Sequence, residues 1–144
     1  MLKSGPYRLI LMGHLAHLHR RMTADAFARE NISRSQPWIL DYLAENDGCI
    51  QRELADRSHF DPASITSALV GMEEQGMITR QAVEGDKRAL RVFLTDYGRQ
   101  KQKVVQRVLT EAENQALAGF SEEEKAKLDE FIHRIHLNMD KEGD

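Results

Sequence analysis

The chain has 144 residues, of which 41% are apolar and 30% charged, with a formal net charge of −3. This composition is typical of a globular protein, and it does not suggest a disordered chain or a strongly basic nucleic-acid binder. No apolar run approaches the roughly 18 residues of a membrane span, and no signal-peptide pattern is present, so we expect a cytoplasmic protein. The single Cys49 excludes an intramolecular disulfide and a cysteine-cluster metal site.

The first segment, about residues 7–29, is predicted to be a long amphipathic helix. Its apolar positions repeat at intervals of four, three and four residues, and they are Leu11, Leu15, Leu18 and Met22. A second helix is predicted from about residue 35 to 45. It places Trp38 and Tyr42 four residues apart on one face, where their rings can stack. Such a pair is typical of a core, and it is also compatible with the wall of a ligand pocket.

Residues 51–76 show the spacing of a helix-turn-helix. QRELADRS predicts a short helix, residues 59–61 a turn, and PASITSALVGMEEQG a second helix. Asp61 is expected to cap this second helix, Pro62 to occupy its first turn, and Gly76 to end it with a positive φ.

The second helix of this motif has two distinct faces. Ile65, Leu69 and Met72 form a stripe that must be buried. Small side chains face outward in its first half, where a recognition helix meets base edges: Ala63, Ser64, Thr66 and Ser67. An ordinary amphipathic helix with a polar outer face would show the same pattern.

The segment from Gly85 to Gly98, GDKRALRVFLTDYG, predicts a β-hairpin that leads directly into a helix. The turn is expected at residues 84–86, and Leu90, Val92 and Leu94 alternate with other residues as in a half-buried strand. Lys87 and Arg88 lie at the tip, with Arg91 further along. We expect the carboxylate of Asp86 to hold the guanidinium of Arg88 in a fixed direction. The hairpin from residue 76 to 94 has four basic residues against two acidic ones.

Two further helices are predicted after the hairpin, over about residues 96–118 and from Ser121 onward. Ser121 and Glu124 have the spacing of a capping box. The apolar residues of the two helices form two more stripes, and a small core cannot cover these and the stripe of the first helix together: Val104, Val105, Val108, Leu109 and Ala112 in one, and Leu128, Phe131, Ile132, Ile135 and Met139 in the other. We expect helices from both ends of the chain to pack together, with apolar surface remaining that a second copy could cover. Helices that pack only on their own domain would show the same stripes.

Together these motifs resemble the MarR family, the winged-helix regulators named for multiple antibiotic resistance. The resemblance rests on Glu53-Leu54-Ala55, on QGMITR before the hairpin, on Asp86-x-Arg88, and on Leu94-Thr95 followed by Gly98. The sequence differs from many family members in having Ser67 and Gly71 where they often carry basic residues.

The resemblance implies a mainly α (α+β) winged helix-turn-helix in a single domain spanning 1–144. Residues 33–94 would form the DNA-binding lobe, and residues 1–30 and 95–144 a helical dimerisation region. It further implies a homodimeric regulator, most often a repressor, of a pseudo-palindromic double-stranded DNA operator. The expected DNA contacts are Ser64, Thr66, Ser67, Asp86, Lys87, Arg88 and Arg91.

The resemblance also implies a crevice for a small aromatic or phenolic effector, with His14, Trp38 and Tyr42 as candidate contacts. His14 and His17 could bind zinc in a metal-sensing regulator of the same fold, but no cysteine or tight carboxylate cluster completes a site, so we expect neither metal nor cofactor. A winged helix that binds protein is a further alternative. An enzyme is not expected, because no catalytic motif is present.

Overall fold

The computed structural model describes residues 6–140. It is mainly helical, with six helices and a small sheet in that part of the chain. In chain order these are α1 (Arg8–Arg29), α2 (Gln36–Glu45), β1 (Cys49–Ile50), α3 (Gln51–Arg57), α4 (Pro62–Glu74), β2 (Ile78–Val83), β3 (Asp86–Leu94), α5 (Asp96–Ala116) and α6 (Glu122–Met139). None of these helices is both long enough and apolar enough to cross a membrane.

The sheet is antiparallel, in the order β1-β3-β2. In the hairpin, Ile78 pairs with Leu94 and Ala82 with Leu90, and the register then shifts so that Val83 pairs with Asp86. The predicted hairpin is therefore confirmed, with a shorter turn: only Glu84 and Gly85 lie between the strands, and Asp86 already belongs to β3. The two-residue strand β1 was not predicted; it exists because Cys49 pairs with Val92 across the sheet.

The chain divides into two compact units. The first extends to Thr110 and contains α1 to α4, the sheet and most of α5; the second begins at Glu111 and contains the end of α5 and α6. The core of the first unit joins α2, α3, α4, the sheet and α5. Its fully buried side chains are Ile39, Leu40, Leu43, Leu54, Ile65, Leu69, Met72, Met77, Ile78, Val92 and Val105.

The helix-turn-helix and its caps agree with the sequence prediction. Asp61 caps α4, Pro62 is its first residue, and Gly76 follows it with a φ of 76°. In the second unit, Ser121 and Glu124 form the predicted capping box of α6, in which each side chain accepts a hydrogen bond from the other residue's backbone N–H. These local signals were sufficient to locate both helix starts.

The apolar stripes of α1 and α6 remain largely uncovered in a single chain. In α1, Leu15 is 54% exposed and Met22 41% exposed. No residue of α6 is buried, and Phe131 and Ile132 are about half exposed, at 52% and 45%. The helices are present where the periodicity predicted them, but one chain does not bury these faces.

Candidate nucleic-acid interface

The start of α4 is organised by Asp61. Its Oδ1 accepts the backbone N–H of Ser64 at 2.9 Å, and its Oδ2 accepts the Ser64 hydroxyl at 2.6 Å. These bonds, led by the one from the hydroxyl, lower the pKa of the Asp61 carboxyl, so it stays ionised at neutral pH. The helix therefore begins in a fixed geometry, with one negative charge at its first turn.

The two faces of α4 are separated as the sequence predicts. Ile65, Leu69 and Met72 are fully buried. Ala63, Thr66 and Ser67 are exposed, and Ser64 is half-buried. All four predicted recognition-helix residues therefore reach the surface on the first half of the helix.

Two of the three hydroxyls on this surface are already used inside the helix. Ser64 donates to the Asp61 carboxylate, and Thr66 donates to the backbone carbonyl of Pro62 at 3.0 Å. These oxygens can still accept hydrogen bonds, but their protons are committed to the protein. Sequence reasoning treated all three hydroxyls as equivalent, and it missed the exposed Val70 further along the same helix.

The far end of α4 is tied to the sheet by Arg80. Its guanidinium and backbone N–H donate to the Glu73 carboxylate, with a shortest ion-pair distance of 3.1 Å, and its Nη1 also donates to Oε1 of Gln51 at 3.3 Å. Hydrogen bonding from Arg80 lowers the pKa of Glu73. One side chain of β2 thus connects α3 and α4, which fixes the two helices of the motif relative to the hairpin.

A second set of contacts holds the segment after α4 against the start of α5. Thr95 donates its backbone N–H to Met77 O at 3.0 Å and its hydroxyl to Gly76 O at 2.5 Å, and it accepts the backbone N–H of Gly98 at 3.0 Å. Gly98 is buried, and a Cβ at this position would overlap the Met77 carbonyl oxygen. We call the contacts of Gly76 and Met77 with Thr95 and Gly98 the α4–α5 clamp.

The tip of the hairpin differs from the prediction in one respect. The Asp86 carboxylate does not hold the Arg88 guanidinium; its Oδ1 accepts the backbone N–H of Arg88 at 2.9 Å. Asp86 and Arg88 lie on the same strand two residues apart, so the carboxylate reaches the nearer backbone donor. Lys87 and Arg88 are both exposed, and the fixed element is the strand that carries them.

Arg91 lies at the base of the hairpin and has a structural contact there. Its Nη1 donates to the backbone carbonyl of Gly48 at 2.9 Å. The neighbouring Asp47 accepts the backbone N–H of Leu94 at 2.8 Å and forms a 2.8 Å ion pair with Arg99. Sequence reasoning counted Arg91 among the expected DNA contacts because the contact with Gly48, 43 residues earlier, leaves no local signal.

An open groove of about 490 Å³ borders the outer face of α4. The start of α2 forms its other wall, and its lining residues are Ser33, Ser35, Gln36, Ala63, Ser64, Ser67, Ala68 and Gly71. None of these side chains carries a formal charge. The groove accommodates a surface that approaches α4 closely, because the side chains on both walls are short or polar.

The three candidate effector residues lie in two different environments: Trp38 and Tyr42 pack on the core, and His14 is exposed on α1. The Trp38 and Tyr42 rings stack with centroids 5.1 Å apart and pack against the buried core. His14 lies exposed on α1, where it stacks on His17 at 6.5 Å. The aromatic pair is thus half-buried at the edge of the core, and an effector at these residues stays a prediction.

Cys49 and the histidines complete the chemically reactive groups. Burial, together with the nearby Glu53, raises the pKa of the Cys49 thiol to about 11, so the thiol form predominates at neutral pH.

Among residues 6–140, no three His, Cys, Asp or Glu side chains are grouped as metal donors. We expect that the protein binds no zinc tightly. Elemental analysis of the purified protein can check this expectation.

The Asp86 contact leads to a paired prediction. If this surface binds a DNA operator, Asp86→Ala should weaken that binding about threefold to tenfold, because the loss of an exposed hydrogen bond of about 1 kcal/mol loosens the strand that carries Arg88. Asp86→Asn should bind as well as the wild type, since the amide oxygen can accept the same backbone N–H. Fluorescence anisotropy with a labelled operator duplex measures both. Equal loss in the two variants would show that the carboxylate charge, and not the acceptor, is what matters.

Comparison with known proteins places this geometry in a family. Residues 30–89 match the model of the MarR family. The uncharacterised HTH-type transcriptional regulator YybA of Bacillus subtilis is 29% identical over 112 residues, which cover 78% of this chain and 75% of that protein. YdgJ of the same organism, also an uncharacterised HTH-type transcriptional regulator, is 30% identical over 108 residues, covering 75% of this chain and 66% of that protein.

Solved structures give the same result. A putative MarR family transcriptional regulator from Listeria monocytogenes, complexed with 26mer DNA, superposes with a TM-score of 0.84 at 25% identity, covering 96% of this chain and 90% of that one. The transcriptional regulator SlyA gives a TM-score of 0.82 at 27% identity, covering 91% and 92%. The helix-turn-helix, the hairpin and these relatives agree: the chain belongs to the MarR family of winged helix-turn-helix transcriptional regulators.

Proposed function

We propose that this chain is a cytoplasmic regulator that binds a double-stranded DNA operator as a homodimer and represses the genes next to it. The observation that carries the proposal is the surface formed by α4 and the hairpin. A helix with short outward side chains leads through Gly76 into β2, and the same hairpin presents Lys87 and Arg88 in solvent. The DNA-bound Listeria relative supports the assignment.

In this proposal α4 enters the major groove and the hairpin tip reaches the flanking minor groove. The major groove admits a helix whose outer side chains touch base edges, and Ala63, Ser64, Thr66 and Ser67 are short enough for close approach. A narrow minor groove attracts an arginine, and Arg88 is the exposed guanidinium at the tip. Arg91 belongs to this surface only in part, since its guanidinium is already bonded to Gly48.

The charge distribution gives the proposal a testable limit. Because α4 has no lysine or arginine, the cations of the hairpin must supply much of the phosphate neutralisation. With Lys87 and Arg88 from two subunits, about four contacts form, and the slope of log affinity against log salt should be about −4 or shallower, at about −0.9 per contact. A slope near −8 would mean that another basic surface dominates binding.

The experiment that tests the function is selection from a randomised duplex pool with the full chain. We expect an enriched sequence with two inverted half-sites whose centres lie about one helical turn apart, because a two-fold dimer presents its two recognition helices to one side of the duplex. Failure to enrich any duplex, or enrichment of a single unpaired half-site, would contradict the proposal.

The dimer accounts for the apolar residues that one chain leaves exposed. The α1 stripe, in the first unit, and the α6 stripe, in the second, are each too apolar for permanent contact with water, and a second copy related by two-fold symmetry would cover them.

We therefore expect a dimer by light scattering at micromolar concentration. A double variant with Leu15→Glu and Met22→Glu should be monomeric, because it would bury two charges at that interface. Ala24→Glu is the matched control: Ala24 is exposed on α1 outside the stripe, so the dimer should persist. A monomeric wild type, or a dimer that persists in the double variant, would rule out the α1 stripe as an interface. Release from DNA by a small aromatic or phenolic effector stays a prediction from the family resemblance.

A further inference from the structure

The outer face of α4 presents methyl groups more than hydrogen-bond donors. Four residues lie along the line opposite the buried stripe, at intervals of four, three and four: Ala63, Ser67, Val70 and Glu74. Val70 is 41% exposed although it is a large apolar residue in the middle of the helix. Helix periodicity places it on the side away from the core, where an apolar side chain has no packing role in the first unit.

Thr66 lies four residues before Val70 and adds to the apolar surface. Its hydroxyl donates to the Pro62 carbonyl at 3.0 Å, which directs the polar end of the side chain to the backbone. The methyl group is then the part of Thr66 available to an approaching molecule. Ser64 is likewise turned to its own helix cap, through the 2.6 Å bond with Asp61.

The charges around this face restrict what it can contact. The Glu73 carboxylate is neutralised by Arg80, whereas Glu74 is exposed near the end of the helix, where it would repel phosphates. The Asp61 carboxylate has the same effect at the other end. Between them, Ala63, Thr66 and Val70 form an uncharged surface suited to an uncharged part of the DNA, the floor of the major groove. There, the C5-methyl group of thymine is the apolar feature that distinguishes one base pair from the others.

We propose that the recognition helix reads thymine methyl groups through Val70, with Thr66 and Ala63 beside it, and that Val70 is a specificity-determining residue. This inference rests on the proposed DNA binding and deepens it by naming the base feature that is read. The half-sites should contain thymines under the middle of α4. Hydrogen-bond readout should contribute less than in a helix that carries arginine, because Ser67 is the one outward hydroxyl here whose proton no described residue takes up.

The test uses the duplex that the full chain selects from the random pool. Each half-site thymine is replaced by deoxyuridine, which removes the methyl group and keeps every hydrogen-bonding group of the base. Wild-type affinity should fall about fourfold for each contacted methyl lost, as expected for burial of one methyl group. Deoxyuridine placed outside the half-sites serves as the control and should leave affinity unchanged.

Val70→Ala then links the effect to this side chain. On the thymine duplex the variant should bind roughly 16-fold more weakly than the wild type, because each subunit of the dimer loses one contact of about fourfold, and replacement of the contacted thymine by deoxyuridine should cause it little further loss. Its unfolding midpoint should match that of the wild type, since Val70 is exposed.

Three results would overturn the inference while leaving DNA binding intact. These are half-sites without thymine, a wild type indifferent to deoxyuridine, or equal deoxyuridine losses in wild type and Val70→Ala. If no duplex is enriched at all, the proposed function fails, and this inference with it.

Discussion

Arg88→Ala should reduce operator affinity roughly 30-fold or more while leaving fold and dimer unchanged. Arg88 is exposed on β3, and its guanidinium is not held by Asp86, so its removal costs the folded chain little. In the complex each dimer would lose two arginines from flanking minor grooves. Each arginine contributes about 1 kcal/mol or more to the free energy of binding. Anisotropy titrations with the selected duplex measure the loss, and circular dichroism checks the fold.

Two further variants separate the contribution of the planar Arg88 guanidinium to DNA affinity from that of positive charge alone. Arg88→Lys retains the positive charge but loses the planar fork, so it should recover only part of the affinity. Lys87→Ala removes one equally exposed charge and should reduce binding to all duplexes similarly, with a shallower salt dependence. Wild-type affinity in Arg88→Ala would exclude the hairpin tip from the DNA contact, and identical behaviour of Arg88→Ala and Lys87→Ala would reduce Arg88 to a general phosphate contact.

Gly98→Ala should destabilise the protein by about 3 kcal/mol. The added Cβ would overlap the Met77 carbonyl oxygen, a backbone atom that cannot rotate away, so the segment just before β2 or the start of α5 must move. At this chain length the loss corresponds to a fall in Tm of about 10 °C. Thermal or urea unfolding at a fixed protein concentration gives the number, since the stability of the proposed dimer would depend on concentration.

Gly71→Ala is the matched control for this variant. Gly71 lies inside α4, and a Cβ there would have no neighbour within 4 Å. Because alanine is the better helix former, the substitution should raise the free energy of unfolding by up to about 1 kcal/mol. If Gly98→Ala were as stable as the wild type, the close approach of α5 to Met77 would have to be wrong.

The parts of the fold predicted from sequence are those with local signals. Asp61, Pro62 and Gly76 mark both ends of α4 within a few residues of the helix itself, and the alternation of Leu90, Val92 and Leu94 marks β3. The helix ends are recognised from residue types that favour those positions, and the strand from its alternation every two residues. The sequence displays both directly.

The parts that were missed depend on contacts between distant residues. β1 consists of two residues that are a strand only because they pair with Val92 and Arg91. The contact of Arg91 with Gly48 spans 43 residues, and that of Asp47 with Leu94 spans 47. At the tip the error had another cause: several donors lie within reach of the Asp86 carboxylate, and composition alone does not say which one it bonds.

Because of the α4–α5 clamp, we expect the end of α4 to move together with the start of α5 rather than to turn independently. Gly76 and Met77 are bonded to Thr95, the residue immediately before α5, which is a helix of 21 residues, about 32 Å long at 1.5 Å per residue. A tilt of α5 would therefore also change the orientation of α4. Amide hydrogen exchange provides a direct reading: the last turn of α4 and the first turn of α5 should open together, with one shared protection factor.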